Sequence, residues 1–85
     1  MSVVITTKFI AATDKRSPRI KVQLFIRTML IDSVSIAHDD DADNSPIMHF
    51  DAMATVATRR KFKPENFKMS SLDAKGRYWS MQEVR

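Results

Sequence analysis

Three aspartates at alternate positions, Asp39, Asp41 and Asp43, come closest to the spacing of a chemical site. An EF-hand loop opens with carboxylates in that pattern to wrap a calcium ion. The match stops early. The sixth position is Asn44, where that loop needs glycine, and the twelfth is Phe50, where it needs glutamate. His38 and His49 flank the same stretch, but a pair eleven residues apart across a loop-to-helix junction matches no metal-ligand pattern. We therefore expect no metal and no cofactor, and read Asp39, Asp40, Asp41 and Asp43 as an acidic patch. Such a patch suits the N-terminus of a following helix. It also suits docking on a basic surface, whether of a partner or of a second copy of the chain.

Basic residues form the second constellation. Lys15, Arg16, Arg19 and Lys21 surround the first turn, and Arg59, Arg60, Lys61, Lys63 and Lys68 surround the end of the expected helix. Phe62 and Phe67 lie among the latter, with Tyr78 and Trp79 further on. Cations beside exposed rings suit a single-stranded backbone and stacked bases. A small domain also needs its aromatics for the core, and Phe62 in particular is expected to fold back on the sheet. No helix-turn-helix pair, zinc spacing or RNP1-type aromatic string accompanies the cluster. Arg59, Arg60, Lys61 and Lys63 are the expected basic patch, for a protein partner or for nucleic acid.

Catalytic signatures are missing. The sequence has no cysteine and one glycine, so neither a thiol nucleophile nor a glycine-rich phosphate loop can be built. We expect a protein that is not an enzyme.

The charges are segregated along the chain. From Thr28 to Thr58 there is no Lys or Arg but six Asp, whereas the flanks carry all 14 basic residues against four acids. The centre is thus formally −6 and the flanks +10, for a net charge of +4. A basic balance raises the prior for an anionic partner. Eighty-five residues leave room for one domain, residues 1–85, with a thin margin of burial. Without cysteine no disulfide can staple it, so self-association is an expected source of further burial. The N-terminal residues do not read as a signal peptide, and no apolar stretch is long enough to span a membrane. We expect a cytoplasmic protein.

Period-2 alternation marks a first strand from about Ser2 to Ala12 and a second from Arg19. Two hairpin registers fit the next apolar run. A loop at Arg27-Thr28-Met29 would face Leu30, Val34 and Ile36 towards Ile26, Val22 and Ile20, leaving Asp32 out of place. A turn at Asp32-Ser33 would give one long strand and a short return strand. Face parity favours the first. Asn44 or Ser45 followed by Pro46 is a helix start. Ile47, Phe50, Met53, Ala54 and Ala57 recur at helical spacing, with Val56 flanking and His49 at the rim. The helix should end near Lys61, before Pro64. Asn66 to Ser71 and Arg77 to Val84 read as a closing hairpin, with Gly76 where the turn needs positive φ. The expected fold is α+β: a small antiparallel sheet of four or five strands with one helix packed on one face.

The stretch Ile5-Thr-Thr-Lys8-Phe9, then Arg19-Ile20-Lys21 and Ser33-Val34-Ser35-Ile36, resembles a group of small accessory proteins of bacteriophages and other mobile elements. The Asn44-Ser45 helix start, the helix with Ala52, Ala54 and Ala57, and the hairpin from Asp73 to Met81 occupy corresponding places. The resemblance implies a genomic setting and carries over no site residue. Proteins of that setting often block restriction, CRISPR or other defence complexes by stoichiometric protein binding. We therefore expect a phage-type, homodimeric interaction protein that inhibits a bacterial defence or host complex. The alternative is a basic accessory protein that binds nucleic acid.

Overall fold

The strands arise where apolar and polar residues alternate, because side chains of a strand point to opposite faces. The computed structural model describes residues 2–10, 18–37 and 45–84. It contains β1 (Val3–Ile10), β2 (Arg19–Ile26), β3 (Met29–Ala37), α1 (Pro46–Arg59), β4 (Phe67–Ser71) and β5 (Tyr78–Glu83), with a single 3-10 turn at Pro64–Asn66. The five strands form one antiparallel sheet in the order β3-β2-β1-β5-β4. One helix crosses one face of it, so the fold is α+β. No helix among the described residues is long and apolar enough to cross a membrane.

The β2–β3 hairpin turns at Arg27-Thr28, with Ile26 paired to Met29. Val34 lies opposite Val22 and Ile36 opposite Ile20, as face parity predicts. Leu30 does not follow. The register shifts between Leu24 and Phe25, so that Leu24 faces Asp32 and Phe25 faces Leu30. Ile31 is the extra residue of this bulge, and one extra residue reverses the side to which its neighbours point. Leu30 is therefore carried to the face away from the helix, whereas Asp32 keeps the parity of Val34 and stays on the helix face.

Ser45 caps α1, its Oγ accepting from the Met48 amide at 3.3 Å, and Pro46 takes the first helical position. The buried stripe is Met48, His49, Ala52, Met53, Val56 and Ala57. Ile47 and Phe50, expected in the core, instead point outwards and are 74% and 40% exposed. His49, expected at the rim, is fully buried. Its Nδ1 shares a hydrogen bond with the hydroxyl of Thr7 on β1, which offsets the cost of burying the imidazole. Its ring also lies 6.1 Å from that of Trp79.

Beneath the helix sit Ile5 of β1, Ile20, Val22 and Leu24 of β2, and Met81 of β5. Phe62, Phe67, Met69 and Trp79 close the margin. Each large side chain removed from water here stabilises the fold by roughly 1.5–3 kcal/mol. Phe62 and Phe67 meet edge-on at 6.3 Å, so both do core work, as expected for Phe62.

Both hairpin turns contain a residue of positive φ. In the β4–β5 turn Gly76 has φ +66°, and a Cβ there would lie 3.2 Å from the Trp79 ring. Asp73 braces this turn by accepting from the amides of Lys75 and Arg77, and the Trp79 indole N–H donates to the Gly76 carbonyl. In the β2–β3 turn the same region is occupied by Arg27, at φ 58°. A side chain there costs about 1–2 kcal/mol. Denaturant unfolding should accordingly find Arg27→Gly more stable than the parent by about 1 kcal/mol, and Gly76→Ala less stable by at least ~1 kcal/mol. Equal midpoints for all three proteins would contradict this account of the turns.

Candidate interaction surfaces

The helix ends in a Schellman motif, in which the backbone reverses through a left-handed residue. The Phe62 amide donates to Ala57 O at 2.8 Å and the Lys61 amide to Thr58 O at 3.0 Å. Glycine is the usual residue at the left-handed position, but here it is Lys61, at φ 65°. The motif drives Phe62 back onto the core and leaves Arg59, Lys61 and Lys63 exposed around the helix end.

Arg60 is set apart from the other three. Its guanidinium contacts Asp32 Oδ2 at 2.7 Å through Nη2 and 3.2 Å through Nε. Asp32, the residue out of place in the sequence pattern, thus ties edge strand β3 to the helix end. Its carboxyl is held below the usual range, first by the Arg60 hydrogen bond and also by the Ser33 amide.

The outward stripe of α1 runs from Ile47 and Phe50 past Asp51, Ala54 and Thr58, with Thr55 and Arg59 on its flank. Residues three and four apart share a helix face, so this is one continuous surface. Its N-terminal end carries Ile47 and Phe50 beside the carboxylate of Asp51, its middle has small side chains, and Arg59 flanks its C-terminal end. Asp51, Ala54, Thr55, Thr58 and Arg59 line a shallow groove along it.

A second surface lies on the opposite side of the sheet. The helix packs on β1, β2 and β5 from one side only, and among the described residues no element covers the other. Strand register places Lys21, Lys8 and Tyr78 in one row across β2, β1 and β5. Lys8 Nζ stands 5.6 Å from the centre of the Tyr78 ring. Arg19 and Phe25 share this face by their parity with Lys21, and Lys68 by its pairing with Gln82. A depression on it is lined by residues that include Lys8, Lys21, Gln23, Phe25 and Tyr78. Among the described residues, the strands put no acid on this face.

Three of the four expected basic residues therefore stay together as an exposed group, while Arg60 is engaged by Asp32. Asp39, Asp40, Asp41 and Asp43 lie outside the described residues, as do Lys15, Arg16 and His38. Among the described residues no three of His, Cys, Asp and Glu come together. The Lys8–Lys21–Tyr78 row was not singled out from sequence. Its signal is the strand parity of Lys8 and Lys21, but only the β1–β2 register makes them neighbours. No family model matches the chain, and neither does any curated protein or solved structure.

The Asp32–Arg60 contact predicts a pH dependence. A carboxyl whose folded pKa is depressed adds stability above its unfolded value, and loses it as pH falls through the folded one. Asp32→Asn should lower the unfolding midpoint at pH 7, and the gap should close as pH falls through the depressed pKa of the folded state. A constant gap from neutral to acid pH would show that the charge of Asp32 contributes nothing.

Proposed function

We propose that this chain is a small non-enzymatic interaction protein, of the bacteriophage or mobile-element type, that inhibits a bacterial defence or host complex by binding it one to one. The observation that carries this reading is the outward stripe of α1. Ile47 and Phe50 are turned to water, while the helix buries His49 against Thr7 and Trp79. A binding surface gains an apolar centre from them, and such centres supply most of the affinity of an interface. Arg59, Lys61 and Lys63 beside it speed and orient docking on an acidic rim of the target. Lys61 fits the same reading. It tolerates a left-handed backbone that glycine would adopt without strain, and a charge needed for binding is a reason to keep it there.

The reading includes a homodimer acting in the host cytoplasm. Its support is β3, which among the described residues pairs only with β2. Met29, Leu30 and Ile31 are exposed along it, and neither Pro nor Gly blocks further pairing. Sedimentation at tens of micromolar should give a dimer, and a monodisperse monomer would remove this part of the reading.

Binding is tested by capture from nuclease-treated bacterial lysate with tagged protein, read by mass spectrometry. The expected result is one partner complex at one-to-one stoichiometry. Phe50→Glu should weaken capture by roughly 30-fold, equivalent to a ~2 kcal/mol hot spot, with the fold unchanged. Lys61→Gly should weaken capture while raising thermal stability. Capture that survives both substitutions would contradict the proposal.

A further inference from the structure

Lys8 and Lys21 are direct cross-strand partners on the open face of the sheet. Like charges placed opposite each other destabilise a strand pair. Among the described residues the strands place no carboxylate on that face to relieve them. The fold does not require cations there, because threonine or glutamine would suit a water-facing sheet equally well, as Thr6 and Gln23 do one row away. The Lys8–Tyr78 contact offsets part of the cost for Lys8, and Lys21 keeps the rest, which makes the pair a candidate functional position.

The surroundings of the pair specify its ligand. Tyr78 continues the row, with Lys8 over its ring, and Phe25 stands four residues along β2 from Lys21 on the same face. Between the two rings lies a row with the partly exposed Gln23 and Thr6 as uncharged hydrogen-bonding side chains. Lys68 extends the positive charge towards β4. Cations alone would fit any acidic surface. Cations, two partly exposed rings and neutral donors on one open face fit phosphates, bases and sugars together.

We propose that the open sheet face is a binding site for single-stranded nucleic acid, with Lys8, Lys21 and Lys68 on phosphates and Tyr78 and Phe25 under bases. This site lies on the side of the sheet opposite the helix stripe, and it stands or falls independently of the inhibitor reading.

The test is fluorescence anisotropy of a labelled oligothymidylate of about ten nucleotides, titrated with the full chain over a salt series. The wild type should bind at low salt, with a log–log salt slope near −2 to −3, as expected for about three or four neutralised phosphates on a single strand. Lys8→Gln with Lys21→Gln should lower the steepness by about 1 to 1.5. Tyr78→Leu should weaken binding by roughly 5-fold or more. A triple Gln variant at Arg59, Lys61 and Lys63 should bind like the parent, with circular dichroism checking the fold of each variant. Three results would overturn the site: no binding by the wild type at low salt, loss that follows the triple variant instead, or equal binding of polyglutamate. The last would identify the ligand as an acidic protein surface.

Discussion

One helix can cover only one face of a sheet, and the rest of this molecule follows from that limit. The 14 residues of α1 make a rod about 21 Å long. Five strands about 4.8 Å apart span about 19 Å. A single helix of that length covers one face only, here against β1, β2 and β5. The inner face must carry nearly all the apolar burial, and the outer face is left to water and to whatever else binds there. The inner face is accordingly occupied by Ile5, Ile20, Val22, Leu24 and Met81, while the outer one mixes lysines, hydroxyls and amides with Val4, Phe25 and Leu30. Because the core makes no demand on the outer face, residues there answer to solubility or to function.

The same limit shapes the helix. Ala52 and Ala57 are small, and they let the backbone of α1 approach the strands closely. Met48 and Met53 fill the irregular space on either side, as flexible thioether chains do. His49 enters the buried stripe because Thr7 gives its imidazole a partner. With these residues turned inward, Ile47 and Phe50 have nowhere to go but out. The helix end is then fixed twice, by the Schellman bonds from Lys61 and Phe62 and by Arg60 reaching Asp32 on the edge strand. Fold and surface are thus coupled at one place: the turn that closes the core also displays Arg59, Lys61 and Lys63.

Much of the architecture could be read from the chain. Alternation located β1, β2 and β3, Ser45-Pro46 marked the helix start, and Gly76 marked the last turn. The β2–β3 turn was harder, because Arg27 occupies a position where glycine or asparagine usually signals it. The bulge at Ile31 carries no local signal, so Leu30 was placed on the wrong face. The helix stripe was misread for a different reason. Ile47 and Phe50 look like core residues and His49 looks like a rim residue, unless Thr7, 42 residues away in sequence, is known to lie beside it. The Lys8–Lys21 opposition was hidden likewise, since pairing across strands depends on register and not on local pattern. Of the two patches read from charge, the basic residues lie exposed around the helix end with Arg60 bonded to Asp32, and the acidic ones lie outside the described residues.

The central claim is that the two sides of this one-helix sheet are separate working surfaces. Amide chemical shifts measured by NMR during titration with an oligothymidylate test it directly. The account predicts that Lys8, Lys21, Gln23 and Tyr78 shift together, while Ile47, Phe50 and Thr58 on the helix stay still. Shifts confined to residues 59–63, or spread equally over both sides, would contradict it.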